Sequence, residues 1–165
     1  MSWLRALLQY AGYALWALPL AIRRIPTRLR VPRRMLGESV LPHKFSVARS
    51  VSHSVLSGAM GLLAWFLAFL AVVAAIRGIC YPLIAGDNLE GSWGGPSLAG
   101  AWAVHAVLGV GLLPVWLLVS AGLGAFQVRL TRGLLGRNGL WWPAPVAVVL
   151  AGGGALLFLA WLRQV

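Results

Sequence analysis

The sequence has few acidic residues, little cysteine and little charge of any kind. Its 165 residues include only three Asp and Glu and a single cysteine, Cys80. One cysteine excludes an internal disulfide and a cysteine-based metal cluster. Only 10% of the residues are charged, whereas soluble domains carry about 25%. The composition is therefore not that of a protein that faces water on all sides.

The charge that is present is almost entirely basic. Fourteen Lys and Arg oppose the three acidic residues, and 60% of the chain is hydrophobic. Nucleic-acid-binding proteins carry their basic patches on polar domains, and the sequence has no polar domain of that kind. We therefore expect no nucleic-acid partner, but a membrane protein whose basic residues set its orientation and contact anionic lipid headgroups.

Three apolar runs are long enough to span a bilayer, which needs about 20 mostly apolar residues. They are Val55–Ile76, Leu98–Phe126 and Gly139–Leu162. The second run is longer than the hydrocarbon core is thick, so we expect it to tilt, or to bend at Pro114. The sequence predicts an all-α integral membrane protein, with a bundle of three transmembrane helices in residues 51–165.

Residues 1–22 are predicted to form a further helix, whose relation to the membrane has two interpretations. The segment is long enough to be a fourth span. Polar and aromatic side chains recur along it at helical spacing, at Arg5, Gln9, Tyr13 and Trp16. Such a stripe favours a helix that lies in the membrane interface.

Residues 23–50 are predicted to be a basic cytoplasmic linker on the surface of anionic lipid. Prolines within this segment oppose a long helix. A basic residue near an anionic surface contributes about 1 kcal/mol to membrane binding. The residues expected to contact headgroups are Arg23, Arg24, Arg28, Arg30, Arg33 and Arg34.

The distribution of charge orients the predicted spans in a bacterial plasma membrane. Residues 23–49 carry eight Lys and Arg, and the predicted loop 127–138 carries three Arg. In residues 77–97, one arginine is offset by two acidic residues. The positive-inside rule places the basic linker and residues 127–138 in the cytoplasm, and residues 77–97 outside the cell.

His105 is the strongest candidate for chemistry, because ionisable residues inside membrane helices are rare and usually functional. Ala101 and Gly109 lie one turn away on either side, so this helix face suits close helix contact. We expect His105 to make an interhelical hydrogen bond, with proton or ligand sensing and metal or haem ligation as alternatives. The other candidates for ligand or proton sensing are Asp87, Glu90, Arg77 and Trp93.

Neither a haem site nor an active site is complete in this sequence. His53 lies at the cytoplasmic start of the first predicted span, and His105 lies about 10 Å in from the outer end of the second. Histidines in opposite leaflets cannot share one iron, so no cofactor or metal is expected within the chain. A hydrolase would need a nucleophile and a base within hydrogen-bond reach. The outer candidates are Ser92, Ser97, Asp87 and His105, in a segment rich in Gly, Ala and Ser that reads as a compact turn. Ser97 is predicted to be the N-cap of the second span, and the protein is predicted not to be an enzyme.

Glycine is frequent in all three predicted spans, and small residues let membrane helices pack closely within or between chains. Three or four spans bury little surface by themselves. We therefore expect another membrane protein or further copies of this chain as partners, in addition to membrane lipid.

Two motifs stand out from the generic apolar pattern. The first is Trp-Gly-Gly-Pro…Gly-Ala-Trp…His, from Trp93 to His105, and the second is Arg129…Arg132…Leu134-Leu135-Gly136. Together they resemble the actinobacterial sensor membrane domain, which often precedes a histidine kinase and sometimes stands alone. The similarity covers residues 46–162 and implies a membrane-embedded sensing or regulatory module.

The chain departs from that family in two respects. It has one clear span after the second motif, where a pair is expected, and it carries no kinase or DNA-binding domain, so output would pass through a partner. The expected function is a non-enzymatic integral membrane protein, either a sensor-like or an accessory subunit. The alternative is a haem- or quinone-associated membrane subunit of an electron-transport complex.

Overall fold

A computed structural model describes residues 2–44, 46–85, 89–137 and 139–164. All the secondary-structure elements in these residues are α-helices, so the predicted all-α fold is confirmed. The helices are α1 Trp3–Ala21, α2 Ile25–Leu36, α3 Val47–Ile79, α4 Tyr81–Ile84, α5 Leu98–Gly111, α6 Leu113–Leu135 and α7 Pro143–Leu162.

Three stretches of helix are long and apolar enough to cross a membrane. They are α3, the stretch Leu98–Leu135 that combines α5 and α6, and α7. Each contains most of one predicted span, although α3 begins earlier than predicted and α7 begins later. By length and composition the chain is a multi-pass membrane protein.

The second span is interrupted close to the proline at which a bend was predicted. α5 ends at Gly111 and α6 begins at Leu113. Pro114 is thus in the first turn of α6, where its missing N–H does not break the helix. The interruption lies just before the proline rather than at it.

The prediction of a loop after Phe126 is wrong, because α6 continues to Leu135. The continuation is amphipathic. Its buried residues include Gln127, Val128 and Thr131, which recur at helical spacing, while Arg129 is exposed. Of the arginines that suggested a loop, Arg129 therefore lies on the exposed side of α6, Arg132 is paired with Glu38, and Arg137 lies beyond the end of the helix.

The basic segment also contains a helix where a linker was predicted. Pro26 lies in the first turn of α2, where a proline is tolerated. Gly37 ends the helix in the left-handed conformation, with φ 74°, which a glycine adopts without strain. The prolines of this segment exclude a long helix but permit one of 12 residues.

The chain folds into two compact units, and the boundaries between them fall inside α3 and α6. Unit 1 comprises Met1–Phe66 and Leu118–Val165, and unit 2 comprises Leu67–Leu117. Unit 1 contains α1, α2 and α7 with parts of α3 and α6. Unit 2 contains α4 and α5 with the end of α3 and the start of α6.

Within unit 1, α1 packs against α3 and α6 at two glycines. A Cβ at Gly61 would collide with the backbone of Leu18, and a Cβ at Gly124 would collide with the backbone carbonyl of Tyr10. The buried face of α1 is itself built mostly of alanine, so the backbones approach closely. α1 is not among the helices long and apolar enough to cross a membrane, and its interfacial placement stays a prediction.

The chain between α2 and α3 is docked on the end of α6 in unit 1. Pro42 pairs with Gly136 in an isolated antiparallel bridge. The backbone N–H of His43 donates to the carbonyl of Leu135 at 3.0 Å. This segment is therefore positioned by the protein itself rather than by lipid alone.

Glu38 holds the same region to α1 and α6. Its carboxylate forms an ion pair with Arg132 at 2.5 Å and accepts a hydrogen bond from the Tyr10 hydroxyl at 3.0 Å. Burial and the hydrogen bond to Glu38 raise the pKa of Tyr10 above its ordinary value. The phenol therefore stays protonated and keeps donating.

Candidate functional site

His105, the strongest predicted candidate, lies in unit 2, on α5. Ser97 is the N-cap of α5, as predicted, because its side chain accepts a hydrogen bond from the Gly100 N–H at 3.2 Å. The cap fixes where α5 begins. It thereby places the half-buried His105 two turns into the helix.

Two contacts hold the His105 ring. Nδ1 lies 2.8 Å from the carbonyl oxygen of Ala101, so Nδ1 carries the proton and donates it. The ring stacks on Tyr81, with centroids 3.9 Å apart and planes inclined by 14°. In the neutral ring Nε2 is then an acceptor, and it has no hydrogen-bond partner in the part of the chain that the structure describes.

The expected interhelical hydrogen bond of His105 is therefore wrong. The hydrogen bond is made within α5, because a carbonyl one turn earlier in the helix is the nearest acceptor for Nδ1–H. The contact with another helix is the aromatic stack on α4. Stacked rings contribute about 0.5–1.5 kcal/mol beyond their buried area.

Tyr81 connects this ring to the segment that precedes α5. Its hydroxyl lies 3.0 Å from Oγ of Ser92. His105, Tyr81 and Ser92 thus form a continuous array, which we call the histidine array. Tyr81 was not predicted from the sequence, where its signal was an aromatic residue just after the first span.

Close helix contact around His105 is confirmed within unit 2. A Cβ at Gly78 of α3 would collide with the carbonyl oxygen of His105. A Cβ at Gly109 of α5 would collide with the carbonyl oxygen of Ala74. Ala101, which was predicted to share this face, is fully buried.

Within the described residues, no hydrogen bond or ring contact joins Arg77 or Trp93 to the array. Trp93 is 74% exposed, and Arg77 and Glu90 are exposed. Asp87 lies outside the described residues. Across the described ranges, no group of three or more His, Cys, Asp or Glu could hold a metal ion.

A second polar cluster, in unit 1, was not predicted. Arg28 of α2 was expected to contact lipid headgroups, but it is only 7% exposed. Its guanidinium donates to the carbonyls of Ala21 at 2.8 Å, Arg23 at 2.7 Å and Ser50 at 3.3 Å. Ala21 is the last residue of α1 and Arg23 lies just beyond it, so Arg28 caps that helix with a positive charge at the favourable end of its dipole.

The other arginines that were predicted to contact headgroups lie on the surface of the protein. All five are exposed, namely Arg23, Arg24, Arg30, Arg33 and Arg34. Their contact with lipid stays a prediction. Arg28 is the exception, because its guanidinium is hydrogen-bonded to acceptors within the protein.

Hydrogen bonds assign the tautomer of His53, which is 1% exposed. The Thr131 hydroxyl donates to the carbonyl of Gln127 at 2.9 Å, so it accepts from Nε2–H of His53 at 3.1 Å. Nδ1 of His53 is then the acceptor for the guanidinium of Arg28 at 3.3 Å. Both ring nitrogens are engaged, which leaves neither for a metal.

Ser57 and Gln127 extend this cluster toward α1. The Gln127 amide donates to Oγ of Ser57, and Ser57 donates to the carbonyl of Ala17 at 3.3 Å. The sequence did carry a signal for the cluster. His53 and Ser57 on α3, and Gln127 and Thr131 on α6, are polar pairs four residues apart in apolar surroundings, and such pairs share one helix face.

No protein family matches this chain, and comparisons with curated proteins and with solved structures also gave no match. The resemblance to a sensor membrane domain therefore stays a prediction. The features that bear on function are the histidine array, the basic end of the molecule and the exposed apolar helices.

Proposed function

We propose that this chain is a non-enzymatic, sensor-like accessory subunit of a bacterial plasma membrane, which acts through a partner protein. The histidine array carries the proposal. The imidazole of His105, inside a span, is stacked on the ring of Tyr81. The Tyr81 hydroxyl is hydrogen-bonded to Ser92, which lies outside the helix. A proton or a ligand taken up at Nε2 of His105 changes the stack on Tyr81 and, through it, the position of Ser92.

The orientation in this proposal has residues 77–97 outside the cell and the basic residues of α2 in the cytoplasm. The excess of exposed arginine in α2 supports it, because positive charge accumulates on the cytoplasmic side of membrane proteins. The histidine array then lies toward the outer surface, where it is accessible to external protons or solutes.

We assign the exposed surface of α7 as the contact surface for the partner protein. Only Pro143 and Ala147 of this helix are buried. Side chains added at Gly152 or Gly153 would meet open space. An apolar helix with an uncovered run of glycine permits close approach of a second membrane helix.

The single native cysteine provides a test of the histidine array, because Cys80 adjoins Tyr81 and is free. A fluorophore on Cys80 of the purified protein is expected to change its emission when the medium is acidified, because a proton taken up at Nε2 of His105 disturbs the stack on Tyr81. The change should be lost in His105→Ala, because the stacked imidazole is gone, and reduced in Tyr81→Phe, which keeps the ring but loses the hydrogen bond to Ser92.

The matched control is His43→Ala, which removes an exposed histidine of the basic segment and should leave the response intact. An emission change that persists in His105→Ala, or that disappears in His43→Ala, would show that the array does not sense protons.

A haem-bearing electron-transport subunit is the second candidate. A metal-bound histidine commonly donates its other ring N–H to a backbone carbonyl, as Nδ1 of His105 does to Ala101. His105 would then hold the haem iron through Nε2, and the haem would supply electron transfer. Protein purified from its native membrane would show a Soret band that is lost in His105→Ala, whereas the sensor proposal expects no such band.

A further inference from the structure

A basic pocket lies in unit 1 where α2 and α3 begin and α6 ends. It is lined by the start of α2, the chain just before α3, the first turn of α3 and the last turn of α6, and its volume is about 460 Å³. Its basic side chains are Arg24, His43, Lys44 and Arg49. Its apolar side is formed by Ile25, Pro26, Pro42, Leu134 and Leu135.

The positive charge of this pocket is not neutralised by its own lining. No carboxylate is among the lining residues, and Glu38 is bound to Arg132 and Tyr10. Arg49 is held in place by a hydrogen bond from its guanidinium to the carbonyl of Gly133 at 3.3 Å. α2 and α3 both begin at the pocket, and the N-terminal end of a helix favours an anion.

We propose that this pocket binds the phosphate of an anionic membrane phospholipid. Arginine and lysine are the side chains that bind phosphate through charge-assisted hydrogen bonds. A free phosphate would use only the cationic side. The pocket also offers an apolar side at the ends of two span-forming helices, α3 and α6, which fits the glycerol and first acyl carbons of a lipid. Lipid binding at this site depends on where the cationic side chains lie. General attraction to an anionic surface depends only on the net charge of the protein.

The proposal is tested with the full chain in detergent, by measuring its affinity for a fluorescent phosphatidylglycerol. The double variant Lys44→Gln and Arg49→Gln should bind this lipid about tenfold more weakly or worse, since it loses two charged hydrogen-bond donors. The control Arg5→Gln and Arg163→Gln makes the same change in net charge at exposed residues outside the pocket, and should change the affinity less than about twofold.

Three further arms make the result decisive. Phosphatidylcholine, which has no net charge, should compete poorly, and inorganic phosphate should fail to displace the fluorescent lipid. Displacement by phosphate alone would overturn the assignment to a lipid, and equal losses in the two double variants would overturn the pocket in favour of net charge. Lys44→Gln alone alters only an exposed side chain, so it does not disturb the fold. An unchanged affinity in this variant would also overturn the proposal.

Discussion

Replacing Arg28 with alanine is expected to lower the free energy of unfolding by about 3 kcal/mol. Each buried acceptor that loses its donor costs about 1–3 kcal/mol, and Arg28 serves carbonyls of α1 and α3 together with Nδ1 of His53. For a chain of this length, 1 kcal/mol corresponds to about 2–4 °C in the melting temperature. Thermal unfolding in detergent should therefore shift down by about 6–12 °C.

Arg30→Ala is the matched control, because Arg30 is on the same helix and is exposed. Its effect should stay within about 0.5 kcal/mol. Arg28→Lys should fall between the two, since one ammonium keeps the charge but cannot reach all the acceptors of a guanidinium. Equal melting temperatures for Arg28→Ala and Arg30→Ala would contradict the buried position of Arg28.

Gly124→Ala is the second substitution with a large expected effect. A Cβ at this position would collide with the backbone of Tyr10 in α1, and backbone cannot turn aside as a side chain can. α1 has to move away from α6, and we expect a loss of about 1–3 kcal/mol in the free energy of unfolding.

Gly122→Ala provides a control of opposite sign. Gly122 is on the same helix, and a Cβ there would meet nothing within 4 Å. Alanine in a helix interior is favoured over glycine by about 0.5–1 kcal/mol, so this variant should melt at an equal or higher temperature. If both alanines stabilised the protein equally, the packing of α1 on α6 would be incorrect.

The spans were predictable from composition, but their ends were not. An apolar run of sufficient length marks a segment that can cross the hydrocarbon core. Such a segment forms a helix because its backbone polar groups must be hydrogen-bonded within it. The end of α6 was misjudged because Arg129 and Arg132 suggested a loop, although Gln127, Val128 and Thr131 already recurred at helical spacing. Charge on one side of a helix is compatible with packing on the other.

The candidate site was predictable only in part. His105 was identifiable because ionisable residues are rare inside spans, whereas its stacking partner Tyr81 is set by tertiary contact. Arg28 could not be separated from the neighbouring arginines by sequence, since six similar side chains differ here only in what surrounds them. His53 was considered only as a haem ligand, and its pairing with Thr131 depends on the packing of α3 against α6.

In the orientation that we propose, the histidine array and residues 77–97 face outward while the basic end faces the cytoplasm. Single cysteines in a Cys80→Ser background test it directly, at Leu83, which is 84% exposed, and at Arg137, which is also exposed. With a membrane-impermeant maleimide, Leu83→Cys should react in intact cells and Arg137→Cys only after permeabilisation. Labelling of Arg137→Cys in intact cells, with Leu83→Cys protected, would show that the chain has the opposite orientation.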